Sequence, residues 1–156
     1  MMEFKFVTPE DDLERVVDEI NQSSWDDTND MGAYDVESLA AYLDRQDVLF
    51  LTCHDVSVKK PKLMGIASSR IEIKPYDKEL WLYVDEVDVC ADQRQKGAGA
   101  AMMQTLIETA QERGCEEIWL ATELENTAAN ALYRSLEPDD VAQVIGYTYE
   151  TFETDE

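Results

Sequence analysis

Residues 83–100, "YVDEVDVCADQRQKGAGA", bring together two sets of side chains that could do chemistry. Asp85, Glu86 and Asp88 place three carboxylates in a stretch that reads as a β-strand. The turn "RQKGAG" (94–99) then sets Arg94 and Lys96 beside Gly97 and Gly99, and runs into a helix. The N–H groups of a helix's first turn lack intrahelical partners, and the dipole puts roughly half a positive charge there. Glycines remove Cβ atoms, so an anion can approach the backbone closely. Two cations add what a phosphate would need in so acidic a chain. The turn therefore reads as a pyrophosphate cradle, although an ordinary strand–helix turn can look the same. Two nucleotide signatures fail. No Gly-Lys-Ser/Thr follows four spacer residues, and Met102 stands where a dinucleotide fingerprint needs its third glycine.

The strand is the second clue. With unbroken alternation, Leu80, Leu82, Val84, Glu86 and Asp88 share one face, and Trp81, Tyr83, Asp85, Val87 and Val89 share the other. Glu86 then continues an apolar row, where a carboxylate is costly unless a cleft solvates it or a partner pairs with it. A bulge near residues 85–88 would splay the strand and re-aim these groups. The alternative is a strand that ends early, with its acids solvated.

The elements that must position this stretch follow from periodicity and turn chemistry. "EFKFV" (3–7) is strand-like, and "TPEDDLERVVDEIN" starts a helix with Thr8 as cap, Pro9 first and Asp11 third. The polar stretch 22–34 reads as a loop, and 35–46 as a short helix. Strands are predicted over 47–55, 63–73 and 80–90, with turns between them. A helix over 97–114 closes at Gly114, a strand covers 115–122, and a helix over 126–136 ends before Pro138. Residues 141–152 read as a final strand pair or one bent strand. The order β-α-α-β-β-β-α-β-α-β predicts an α/β (α+β) fold, a mixed sheet with helices on both faces.

Composition bounds the function. The 156 residues suit a single domain over 1–156, and 44% hydrophobic content suits a globular one. No apolar run approaches the roughly 20 residues of a membrane span, and the N-terminus turns acidic at once, so the expected compartment is cytoplasmic. Cys53, Cys90 and Cys115 have no metal-like spacing and read as free thiols. His54 is the only histidine, and no metal site is expected around it. A net charge of −22 argues against nucleic acid. It is compatible with attraction of a cationic substrate, or simply with solubility or a salty host.

"RQKGAG" matches the Arg/Gln-x-x-Gly-x-Gly/Ala acetyl-CoA loop of the GNAT superfamily of N-acetyltransferases. Downstream, "NTAANALY" resembles that family's Asn-x-x-Ala-x-x-Leu-Tyr through Asn126, Ala129, Leu132 and Tyr133. The strand before the loop fits too, with a carboxylate pair followed by "VDV". One departure is plain: the family usually follows the Tyr helix with Leu-Gly-Phe, and here the chain reads "SLEPDDVAQVIGY".

The resemblance implies a GNAT-like domain whose splayed central strands hold acetyl-CoA, and acetyl transfer to a primary amine with no metal. Arg94, Gln95, Lys96, Gly97, Ala98, Gly99 and Ala100 form the pyrophosphate loop, with the backbone of 97–100 as donors. The pantetheine arm would add strand-like bonds along Val87, Asp88 and Val89, and Asn126 would bond its amide region. An acceptor amine with a pKa near ~9–10 costs about 3–4 kcal/mol to deprotonate at pH 7. Glu86, with Asp85 as second choice, is the implied proton acceptor, directly or through water. Tyr133 is the implied donor to the leaving thiolate. Cys90 as a nucleophile lacks an activating base.

Within the family the layout is most similar to the type I aminoglycoside 3-N-acetyltransferases. That branch implies a polycationic acceptor, with Trp25, Asp26, Asp27, Asp30, Tyr147, Tyr149 and Glu150 as candidate contacts. Two other readings are a protein or peptide N-acetyltransferase and a non-catalytic acyl-CoA-binding module. The family often dimerises through its last strands, so "YTYETF" is a candidate homodimer surface. No nucleic-acid or membrane partner is expected.

Overall fold

The β-prone runs pair into one five-stranded sheet in the computed structural model, which describes residues 1–152. The elements are β1 (Met2–Phe6), α1 (Leu13–Gln22), α2 (Val36–Leu43), β2 (Val48–Asp55), β3 (Lys62–Ile73), β4 (Leu80–Val89), α3 (Ala98–Glu112), β5 (Cys115–Trp119) and α4 (Thr127–Ser135). The strands lie in sequence order, antiparallel from β1 to β4 and parallel between β4 and β5. This is the mixed α+β architecture that the sequence predicts. The chain divides into two compact units, Met1–Leu120 with the whole sheet, and a second from Ala121 onward that holds α4.

The first unit has two layers of helix. On one face, Val17 and Ile20 of α1 and Leu39 and Leu43 of α2 pack with Phe50, Leu63 and Ile66. The other face carries α3, which buries Met102, Met103, Leu106 and Ala110. Close approach of α3 needs Gly65. A Cβ there would stand 2.6 Å from the carbonyl oxygen of Asp88 and 2.7 Å from Cε of Met102. The three cysteines are free. No helix among the described residues is long and apolar enough to cross a membrane.

Two expectations need correction. Thr8 does not cap α1; Asp12 does, its carboxylate accepting from the Arg15 N–H at 3.1 Å. Asp11 turns back instead, accepting from the Thr8 N–H at 2.8 Å and pairing with Lys5 at 3.0 Å. The residues around Pro9 thus form a separate turn and α1 begins at Leu13. The strand expected over 141–152 is absent, and Ile145, Tyr147, Tyr149 and Phe152 are exposed. Aromatic and β-branched residues favour a strand only where a neighbouring ladder satisfies the backbone.

Candidate active site

The bulge comes first, because it decides where the acids point. Ser69 pairs with Val84 and Ser68 with Glu86, so Asp85 is an extra residue on β4. Opposed residues of an antiparallel pair point to the same side. Alternation is therefore reset at Asp85. Glu86 and Asp88 leave the Leu82–Val84 row and join the face of Ile66 and Phe50, where α1 and α2 pack. The bulge thus takes Glu86 out of the Leu82–Val84 row and opens it to a cleft, where its carboxyl is still partly desolvated. Asp85 itself is held by Arg70, whose Nε donates at 3.4 Å.

Glu86 opens into a cleft of about 400 Å³, walled by Asp30, Tyr34, Ser38, Tyr42, Phe50, Ser68 and Asp85 among others. Tyr34 and Tyr42 stand edge-on to Phe50, with centroids 5.9 and 6.3 Å away. The Tyr42 hydroxyl donates to the carbonyl of Ser69 at 3.0 Å, which fixes the ring beside the bulge. The Glu86 residue is exposed as a whole, but its carboxyl lies against these walls. Desolvation first, then the charges of Asp88, Asp30 and Asp85, raise its pKa above the ordinary carboxylate value. Burial and the charges of Glu86 and Asp88 also raise the phenol pKa of Tyr34, and burial lifts that of Tyr42 to about 12, so both rings stay neutral. The cleft joins clustered negative charge to aromatic edges and faces, an arrangement that favours a cation.

The second part of the site is the unpaired edge of β4. Pairing with β5 runs from Leu80↔Cys115 to Tyr83↔Trp119 and stops there. β5 ends at Trp119, so Val84–Val89 have no β5 partner and this edge of β4 is left unpaired in the sheet. The turn after β4 then reaches α3 through left-handed Gln95 (φ 62°) and Gly97 (φ 83°). Gly97 is the N-cap of α3, and no side chain caps this helix. The backbone N–H groups of Ala98, Gly99 and Ala100 belong to the uncapped first turn. An open strand edge leading to an uncapped helix start fits a long, amide-bearing ligand with an anionic end. The residues present therefore suit acetyl-CoA.

The cations near that turn are already engaged. Arg94 donates to Asp26 through Nη1 at 2.9 Å and Nη2 at 3.2 Å, to Asn29 at 2.9 Å and to the Val89 carbonyl at 3.1 Å. Lys96 reaches Oε1 of Gln93 at 3.3 Å. Asp88 is buried, and its carboxylate accepts from Asn29 Nδ2 at 3.0 Å. Burial raises its pKa, against the lowering effect of Asn29 and Arg94. Burial, and next the charge of Asp92, lift the Cys90 thiol to about 11, which leaves little thiolate for nucleophilic attack.

Of the loop residues expected at the acceptor site, Asp30 lines the cleft. Trp25 does not: its Nε1 donates to the Ile20 carbonyl at 2.8 Å and its ring packs on the core. Asp26 is committed to Thr28 and Arg94, which hold its carboxyl down to about 2, and Asp27 is exposed outside the cleft lining. Tyr147 and Glu150 are exposed in the second unit. That unit also carries Asn126, which caps α4 by accepting from the Ala129 N–H at 3.1 Å, and the half-buried Tyr133. Tyr34, Tyr42, Phe50 and Ser68 were missed as site residues, because each reads as ordinary helix, strand or loop by pattern. Only the acid at an interrupted strand row could have pointed to them.

Several solved structures share this fold. One is an aminoglycoside acetyltransferase, meta-AAC0020, from an uncultured soil metagenomic sample in complex with sisomicin. It is 16% identical, with 97% of both chains covered and a TM-score of 0.78. Another is a ribosomal-protein-alanine N-acetyltransferase from Brucella melitensis biovar Abortus 2308, 16% identical over 96% of this chain and 99% of that one, with a TM-score of 0.69. In sequence, 98 residues are 28% identical to mouse (Mus musculus) N-acetyltransferase family 8 member 3, covering 63% of this chain. The chain spans 43% of that relative's length, less than half. The profile of the Acetyltransferase (GNAT) family matches residues 15–137, and the chain belongs to that family.

Proposed function

We propose that the protein transfers an acetyl group from acetyl-CoA to a cationic primary amine, with aminoglycosides as the first acceptor class to test. One observation carries the acceptor reading: the bulge at Asp85 turns Glu86 into a cleft that it shares with Asp30, Asp85 and two tyrosines. A neutral or anionic acceptor would gain nothing from three carboxylates. An ammonium group gains attraction on entry and a proton acceptor on arrival. The aminoglycoside reading draws further support from the fold shared with meta-AAC0020.

Acetyl-CoA supplies the activated thioester. The backbone of Val87 and Val89 would hold the pantetheine along the open edge of β4. The N–H groups of Gly97, Ala98, Gly99 and Ala100 would hold the pyrophosphate, with Lys96 beside them. Arg94 shapes this turn from below through its bonds to Asp26, Asn29 and Val89. Asn126 would bond the pantetheine amide region. Glu86 takes the proton from the acceptor ammonium, and its raised pKa brings it nearer to the amine's own. Asp85, tied to Arg70, adds negative charge at the cleft wall. By its place in the family's motif, Tyr133 would donate a proton to the departing sulfur.

Thiol release from acetyl-CoA across a panel of aminoglycosides, simple polyamines and peptide N-termini tests this reading. Turnover is expected with the polycations. Turnover with peptides alone would replace the acceptor class. Tight acetyl-CoA binding without turnover on any amine would refute the enzyme reading.

A further inference from the structure

Among the described residues Asp88 is the single buried carboxylate, 7% exposed. An apolar residue would sit beside Ile66 without a desolvation cost, whereas a buried carboxylate must be compensated. The compensation is a chain of polar groups. Asp88 accepts from Asn29 Nδ2 at 3.0 Å, and the same amide reaches the Val89 carbonyl at 3.4 Å. Asn29 Oδ1 accepts from Arg94 Nη2 at 2.9 Å and from the Asp26 N–H at 3.1 Å. Arg94 then forks onto Asp26 at 2.9 and 3.2 Å. The chain Asp88–Asn29–Arg94–Asp26 runs from the interior of β4 through the loop that carries Asp30 to the turn before α3. A backbone bond from the Ala91 N–H to the Ser24 carbonyl, at 2.7 Å, ties the same loop at its start.

Asp88 also stands two residues from Glu86, on the same face of the strand. We infer that Asp88 is a positioning residue for acetyl transfer: through Asn29 it holds the loop that walls the acceptor cleft, and its charge stands beside the carboxylate that takes the proton. This rests on the reading of Glu86 as proton acceptor. The other charged or titratable groups around Glu86 are Asp85 on its own strand, Arg70 of β3 bonded to Asp85, Asp30 and Tyr34 of the loop and Tyr42 of α2, while Arg94 beyond β4 acts on Asp88. Asp88 comes first among the charges acting on Glu86, and like charge there favours the protonated acid. It thereby moves a carboxylate toward the affinity needed to accept a proton from an ammonium ion.

Two substitutions separate charge from chain. Asp88→Asn removes the charge and keeps an oxygen that accepts from Asn29. For carboxylates roughly 7 Å apart, the acid limb of the kcat/KM profile for the amine should move down by about half a unit to one unit. The Glu86 carboxyl titration, followed by NMR in the full chain without substrates, should move down with it. Asn29→Ala keeps both carboxyl groups and breaks the chain, so KM for the amine should rise about fivefold or more. An unmoved Glu86 titration in Asp88→Asn, or a parental KM in Asn29→Ala, overturns the inference. Absence of turnover in the parent would count against the enzyme reading instead, and the NMR titration would still decide the charge relation.

Discussion

Gly65→Ala is the sharpest test of how the sheet holds its site. The added methyl would lie 2.6 Å from the Asp88 carbonyl oxygen and 2.7 Å from the Met102 Cε. The methionine end can swing aside. The carbonyl cannot, because it belongs to β4 where Val89 pairs with Gly65. An ordinary carbon–oxygen contact is about 3.3–3.6 Å, so β4 or β3 must yield by roughly 0.7 Å or more. Overpacking of that kind costs about 1–3 kcal/mol. For a chain of this length that corresponds to a fall in Tm of roughly 2–12 °C. Calorimetry on the full chain reads the stability loss, and acetyl-CoA titration reads displacement of the open half of β4, where binding should weaken. A variant that melts within about 1 °C of the parent, with unchanged acetyl-CoA affinity, would refute the close packing of α3 and β4 over Gly65.

Gly97→Ala meets no atom within 4 Å but keeps φ at +83°, so its cost is backbone strain alone, about 1–2 kcal/mol, measurable by urea denaturation with a rise in KM for acetyl-CoA. Glu86→Gln should lower kcat/KM for the amine by about 10²–10⁴ and abolish the acid limb; in the parent that limb should lie above the ordinary carboxylate range, because the base works deprotonated and its pKa is raised. Asp26 has a folded pKa of about 2, below its ordinary 3.8, so its contribution to stability is present above that ordinary value and is lost as pH falls toward 2. The stability gap between the parent and Asp26→Asn should therefore close over that window in acid denaturation curves. Tyr133→Phe should lower kcat far more than acetyl-CoA affinity, as single-turnover and binding measurements would show.

What the sequence made legible was mostly local. Glu86 in an apolar row pointed to a bulge, and the bulge is at Asp85. The glycine turn pointed to a helix start with backbone N–H groups open to an anion, and α3 begins at left-handed Gly97 with no side-chain cap. The less legible parts depended on partners far along the chain. Arg94 reads as a phosphate ligand by motif, yet its fork is met by Asp26, 68 residues away. The Asp88 side chain gave no signal for a role of its own, because its partner Asn29 lies 59 residues away in a loop that reads only as polar. Trp25 looked like a rim residue in that same loop, but its indole reaches back five residues to the Ile20 carbonyl in α1. At α1, two adjacent aspartates competed for the cap, and Lys5 with the Thr8 N–H drew Asp11 away and left Asp12 to serve. Residues 141–152 show the converse, strong strand propensity without a ladder.

The early end of β4–β5 pairing has a consequence for how the molecule breathes. In an antiparallel pair successive residues turn their amides to opposite sides, so about half of those in Val84–Val89 face away from β3 toward the unpaired edge. Those amides lack the ladder that slows exchange with solvent, although neighbouring Leu82 is fully buried. The fastest-exchanging backbone of the sheet interior should thus lie at its working centre. A ligand laid along that edge would act as a sixth strand, and its occupancy would be legible as deuterium retained at these few positions. Its binding would also add to the folding free energy in proportion to the logarithm of its concentration. The protein would then reach its greatest resistance to unfolding only while engaged in its reaction.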